Sequence, residues 1–146
     1  MATRTARTAW NGDLQNGSGQ VELTSSGVGT FDVSFPKRTA DAADGTTSPE
    51  ELIAAAHSSC FAMALSNEIA KAGGTPQSLE VSADVTLGQK DGGPHITKIA
   101  LTVRGEVEGL DAAGFEKAAQ AAKAGCPVSK ALAGVDEVTL DAALDS

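Results

Sequence analysis

Apolar and polar positions alternate along this chain with two different periods, and the change of period marks its elements. Thr3 to Trp10 has the composition of a first strand, turned by Asn11-Gly12-Asp13 and Asn16 to Gly19 toward a partner at Gln20 to Thr24. Thr30 to Phe35 again alternates apolar with polar, and Pro36 is expected to end it or mark an edge. A polar loop from Thr39 to Thr47 leads into the longest helical segment, Ser48 to Gly74. There Ser48 offers an N-cap, Pro49 suits the first helical position, and Glu50 and Glu51 sit at the positive end of the dipole. Gly73 and Gly74 permit the closing turn, and Thr75-Pro76 stops continuation. From Leu52 to Asn67 there is no acidic side chain, lysine or arginine, so this helix is expected to be buried all round.

Period two returns at Leu79, Val81, Ala83, Val85 and Leu87, turns at Asp91 to Pro94, and resumes through Ile99, Leu101, Val103 and Val107. Asp111 caps a helix from Ala112 to Ala124 with an apolar stripe of Phe115, Ala118, Ala119 and Ala122. A short helix from Pro127 to Ala133 and a last strand through Val138, Leu140, Ala142 and Leu144 complete the order. The expected class is α+β, built of antiparallel hairpins packed on a central helix, with no alternating parallel crossovers. A wholly buried helix in a chain with one Trp and four Phe implies cover from a second subunit, so a homodimer is expected.

The 146 residues suit a single domain spanning 1–146. Eleven basic against nineteen acidic residues give a net charge of −8, with no basic stripe, which argues against a nucleic-acid partner. Arg4 and Arg7 precede no apolar run, and no segment is apolar for long enough to span a bilayer, so no membrane partner is expected and the cytoplasm is the expected location. Cys60 and Cys126, with His57 and His95, are too few for a disulfide scaffold or a zinc set, and no metal or cofactor is expected.

A thiol acts chemically as thiolate, and an apolar helix favours the neutral form unless a cation stands beside it. Arg38 is the first candidate cation for Cys60, with Lys37 its rival; a solvated loop residue is the plainer reading of either. Glu50 could orient the arginine, although ten helical residues separate it from Cys60 by about 15 Å along one axis. Two such helices crossing at a dyad would bring Glu50 of one subunit to Cys60 of the other; a simple helix-start role competes with that reading. Cys126 directly precedes Pro127, at an N-cap position where amide dipoles favour negative sulfur, so spacing alone leaves open which thiol attacks. His57 lies three residues before Cys60 and reads better as a packed, hydrogen-bonded histidine than as the base of a cysteine hydrolase. The glycine-rich pieces lack the lysine and spacing of a phosphate loop.

Three stretches carry a family likeness: Ser-Pro-Glu-Glu-Leu-Ile-Ala-Ala-Ala-His-Ser-Ser-Cys-Phe-Ala-Met-Ala-Leu at 48–65, Ile-Thr-Lys-Ile-Ala-Leu at 96–101 and Lys-Ala-Gly-Cys-Pro-Val-Ser at 123–129. With Ala-Trp-Asn-Gly-Asp at 9–13 and Val-Thr-Leu-Asp at 138–141, the chain resembles the OsmC branch of the OsmC/Ohr family over almost its whole length. The resemblance implies an intertwined homodimer with a thiol-dependent peroxidase site at the subunit interface, reducing organic hydroperoxides. By motif, Cys60 would be the peroxidatic thiol, Cys126 the resolving thiol, Glu50 the acidic partner and Arg38 the activating cation. Phe61 and Met63 would then favour apolar substrate tails. An external dithiol, of lipoyl type by the same likeness, would restore the enzyme. The competing reading is a redox-responsive structural or binding dimer without efficient turnover.

Overall fold

The computed structural model describes residues 1–145, which divide into two compact units, the first ending at Leu52 and the second beginning at Ile53. In the first unit, β1 (Arg7–Asn11), β2 (Ser18–Glu22) and β3 (Thr30–Val33) form an antiparallel sheet in that order. The β1–β2 turn is held by Gly17 N–H donating to the Asp13 carbonyl at 2.9 Å and by Asn16 N–H donating to the Asp13 carboxylate at 2.7 Å. The alternating stretch expected to run to Phe35 stops at Val33. Ser34 then caps a short helix, α1 (Phe35–Thr39), its hydroxyl accepting from the Lys37 amide, with Pro36 in the first turn. A proline preset to helical φ begins a helix here where it was expected only to break a strand. The following loop returns to β3, with Thr47 N–H donating to the Asp32 carbonyl at 3.0 Å.

The long helix α2 (Pro49–Lys71) starts as the sequence predicts, with the Ser48 hydroxyl accepting from Glu51 N–H at 3.1 Å. At its end Gly74 N–H donates to the Ile69 carbonyl and Gly73 N–H to the Ala70 carbonyl. Gly73 is left-handed at φ 89, the two bonds of a Schellman motif. The helix is not sealed all round within one chain. Only Glu50 and one stripe, His57, Phe61, Leu65 and Ile69, are buried; Ala55, Ala56 and Met63 are open, Met63 by 73%.

The second unit is built on a sheet ordered β4-β5-β6, from β4 (Thr75–Lys90), β5 (Gly93–Glu108) and β6 (Glu137–Leu144). β4 and β5 form the expected long hairpin, turned at Asp91 (φ 52) and Gly92 (φ 79), the paired positive angles of a tight hairpin turn. Ile99, Leu101, Val103 and Val107 on central β5 pack with Phe61, Leu65 and Ile69 of α2 and with Phe115, Ala118, Ala119 and Ala122 of α3 (Ala112–Gly125). β6 does not add as a hairpin. It pairs parallel to β5 after a crossover through α3 and α4 (Pro127–Ala131), so the sheet is mixed. Alternation marks a strand with one covered face but carries no direction, and the two helices between β5 and β6 are what permit parallel pairing. No described helix is long and apolar enough to cross a membrane.

Gly105 occupies an inward position on β5, where an added Cβ would lie 3.0 Å from Leu79 Cδ2 and 3.0 Å from the buried Phe115 ring. A Gly105→Ala change gains a little from a less flexible unfolded chain but forces two core side chains off their positions. The expected net result is a loss of about 1–2 kcal/mol, read as a lower urea midpoint at unchanged slope.

Candidate active site

Each predicted site residue finds a partner, in two separate pairs. In the first unit, the short helix α1 carries Arg38, and the first turn of α2 carries Glu50. Arg38 Nε donates to Glu50 Oε1 at 2.9 Å and Nη2 to Oε2 at 2.8 Å, a two-pronged match of planar guanidinium to carboxylate. Hydrogen bonding to Glu50 raises the Arg38 pKa above its ordinary value, keeping it a cation. Glu50 is buried at 7% exposure, and helix capping is left to Ser48, so its carboxylate is free to fix the arginine. Lys37 instead faces Asp44, 3.1 Å away and well exposed.

Arg38 also contributes to the wall of a cavity of about 340 Å³ in this unit. Trp10, Leu14, Val21, Val33, Phe35 and Leu52 supply most of the rest of its lining. A guanidinium at the edge of an apolar hollow suits a ligand with a polar end and a hydrocarbon body.

In the second unit, Cys60 on α2 and Cys126 between α3 and α4 are free thiols near enough for each to shift the ionisation of the other. Cys60 is partly exposed and Cys126 fully buried. Burial raises the Cys60 pKa, and its role as donor to the Cys126 sulfur raises it further; only the Val128 amide opposes this. Burial pushes Cys126 up as well, but the neighbouring Cys60 thiol, the Ser129 amide and hydroxyl and the Val128 amide together outweigh it and bring Cys126 below the ordinary thiol value. Cys126 is the N-cap residue of α4, as the sequence predicts. Its sulfur makes no capping bond of ordinary length, yet the first amides of α4 face it closely enough to favour negative charge. Within this unit, burial disfavours a thiolate on Cys60, while the start of α4 favours negative charge on Cys126.

His57 is the packed histidine that the sequence predicts. Its Nε2 lies 2.7 Å from Ser129 Oγ, and burial lowers its pKa, so the ring is neutral. Ser129 was not singled out from the sequence, where a serine in the first turn of a short helix reads as a helix-start residue. Phe61 was expected to face substrate, but it lies fully within the core; the spacing 57, 61, 65, 69 was the signal that placed it there. Among the described residues, no group of three or more His, Cys, Asp or Glu could hold a metal ion.

Comparison with known proteins follows the same lines. The OsmC-like protein family model matches residues 42–141. The chain is 45% identical to peroxiredoxin OsmC of Escherichia coli (strain K12) over 137 residues, 94% of this chain and 93% of that protein. It is 34% identical to the organic hydroperoxide resistance protein OhrA of Bacillus subtilis (strain 168), covering 83% of this chain and 85% of the relative. Among solved structures, an organic hydroperoxide resistance protein from Elizabethkingia anophelis superposes with a TM-score of 0.76 at 29% identity, covering 99% of both chains. OhrB of Bacillus subtilis gives 0.70 at 29% identity, covering 97% of this chain and 98% of its own.

The Arg38–Glu50 pair makes a testable demand on stability. A Glu50→Ala change leaves a partly buried guanidinium without its partner and is expected to cost about 1–2 kcal/mol, whereas removing the exposed Asp44 partner with Lys37→Ala should cost less than about 0.5 kcal/mol. Urea denaturation of both variants beside the wild type measures the difference.

Proposed function

The chain belongs to the OsmC-like protein family, and from that membership we propose that it is a thiol-dependent peroxidase that reduces organic hydroperoxides to alcohols, with residues 1–146 acting as one domain of a homodimer. The observation that carries this reading is the pairing of two free sulfurs, one partly open and one sealed, from distant parts of the chain. Cys60 is the sulfur a peroxide reaches first. Its thiolate attacks the distal oxygen, so that an S–O bond forms, the O–O bond breaks and the departing alkoxide takes up a proton to become the alcohol. Cys60 is left as a sulfenic acid. Cys126 then attacks that sulfur, forming the disulfide and expelling water, and an external dithiol, proposed to be of lipoyl type, returns both sulfurs to thiols.

Arg38 is the proposed activating cation. It lowers the cost of a Cys60 thiolate and stabilises charge on the departing oxygen, with Glu50 fixing the direction of its fork. In the reaction the cation therefore favours the Cys60 thiolate that burial alone disfavours. Because ten helical positions separate Glu50 from Cys60 in the sequence, the proposed site joins the Arg38–Glu50 pair of one subunit to Cys60 of the other. The uncovered apolar side chains support dimerisation: Met63 on α2, and Trp10, Leu14 and Phe31 in the first unit, are all open in a single chain. The apolar cavity beside Arg38 supports a substrate with a hydrocarbon body over hydrogen peroxide.

Steady-state reduction of cumene hydroperoxide with a dihydrolipoyl dithiol tests the proposal. Wild type should turn over repeatedly, Cys60→Ser should be inactive, and Arg38→Ala should lose about a hundred-fold in kcat/KM. Mass spectrometry after one equivalent of peroxide should find a Cys60–Cys126 disulfide in wild type and a trapped sulfenic acid at position 60 in Cys126→Ser. Stoichiometric oxidation followed by arrest would overturn catalysis in favour of a redox-responsive dimer.

A further inference from the structure

We propose that Trp10 is a specificity-determining residue: its indole is a flat, fixed wall of the apolar hollow beside Arg38, and it favours ligands whose carbon body is an aromatic ring over those with a compact or saturated body. That the ligand is a hydroperoxide rests on the peroxidase reading above; the wall itself does not.

Alternation sorts the side chains of the first sheet onto two faces. Trp10 of β1 pairs with Gly19 of β2, and Gly19 with Val33 of β3, so the three form one row across the sheet. Val21, two positions from Gly19, shares their face. Trp10, Val21 and Val33 line the hollow of about 340 Å³, a volume within the range of small-molecule sites, about 300–1,000 Å³. The opposite face carries Asn11, Ser18, Gln20 and Asp32, so an apolar ligand is matched on one side of the sheet and not on the other.

Trp10 is the single tryptophan of a chain with four Phe and no Tyr, and it is 41% exposed. An indole this open would swing freely without local restraint, and two contacts supply it. Its Nε1–H donates to the Gly12 carbonyl at 2.9 Å, so the one polar group of the ring is matched and the surface left for a ligand is carbon. Gly19 supplies the second restraint by having no side chain. A Cβ there would come 3.0 Å from Trp10 Cε3, so the ring lies down over the strand in space that any larger residue would take from it. A wall held in this way has little freedom left to lose when a ligand packs on it.

The same hollow has one cation. Glu50 takes Nε and Nη2 of Arg38, which leaves Nη1 to meet an oxygen of the ligand. A molecule with an oxygen-bearing end and a planar carbon body matches both features. Ring-on-ring contact with the indole adds a factor of about two to ten to binding beyond the area buried. Cumene and tert-butyl hydroperoxides isolate this effect, because both carry the peroxide on a tertiary carbon and differ by a phenyl in place of a methyl.

The emission of the single tryptophan reads the wall without any turnover. Reduced wild type is titrated with 2-phenyl-2-propanol and, separately, with 2-cyclohexyl-2-propanol, neither of which is an oxidant. The saturated ring is the more hydrophobic, so burial alone favours it; the proposal expects the phenyl alcohol to move the emission with a Kd about three-fold lower. In turnover with a dihydrolipoyl dithiol, the ratio of kcat/KM for cumene over tert-butyl hydroperoxide should fall about five-fold in Trp10→Leu. Trp10→Phe, which keeps an aromatic face, should hold that ratio within about two-fold of wild type and guards against a loss that comes from weakened folding. Emission unmoved by the phenyl alcohol, equal or tighter binding of the cyclohexyl alcohol, or an unchanged ratio in Trp10→Leu would overturn the proposal. Emission that changes with protein concentration but with neither alcohol would also overturn it, by assigning the wall to a second copy of the chain. A wild type that reduces neither peroxide yet binds the phenyl alcohol with the stated preference would overturn the peroxidase reading and leave Trp10 as an aromatic-binding wall.

Discussion

The rotation of α2 about its own axis is set by Phe61, Leu65 and Ile69, one side chain per turn, all buried against the inward residues of β5 and the apolar face of α3. Burying each is worth roughly 1.5–3 kcal/mol, so turning the helix to expose them would cost far more than any single hydrogen bond nearby could return. Everything chemical on the helix inherits that setting. His57 falls on the same row as the three and is therefore sealed. Cys60, one position before Phe61, is turned by about 100° from it and lies at the margin of the buried row, where it is partly reachable.

A polar residue in such a row must find partners within the protein, and that requirement links the helix to the far end of the chain. His57 meets Ser129, and the same turn of α4 brings the Val128 and Ser129 amides to the two sulfurs. Low polarity around the sulfurs disfavours charge on both, while the amide dipoles of α4 offset part of that cost at Cys126. A thiolate on Cys60 needs an outside source of positive charge. The Arg38 guanidinium, held by two short bonds to Glu50, is the cation proposed for that role.

Much of this was legible in the sequence, for local reasons. The α2 cap at Ser48, its glycine stop, the β4–β5 hairpin, the Asp111 cap of α3 and its alanine stripe all depend on residues a few positions apart. The Asp111 carboxylate accepts from Gly114 N–H at 2.8 Å, as its spacing predicts. What the sequence concealed depends on distant partners. β6 alternates whichever way it runs, so its parallel pairing with β5 could not be read from the alternation. Ser129 gains its place only because His57 stands opposite. α1 was a different failure: Ser34 and Pro36 carried a usable helix-start signal, overshadowed by the alternation that precedes them. The two cysteines and their neighbours were conspicuous as motifs, yet their adjacency became a physical fact only when the chain had closed.

The parallel crossover from β5 to β6 has a consequence for how this chain can vary. Cys126 is delivered by the last turn of α3, whose angular phase is fixed upstream by Phe115, Ala118, Ala119 and Ala122. One residue inserted into or lost from α3 after Ala122 would swing the sulfur by about 100° and shift it by about 1.5 Å, out of reach of Cys60 and away from the α4 amides. At the Asp91–Gly92 turn, by contrast, extra residues would extend into solvent and leave the hairpin register intact. Variation in chain length among descendants of this sequence should therefore collect at the hairpin tip and be excluded from the segment between the α3 stripe and Pro127.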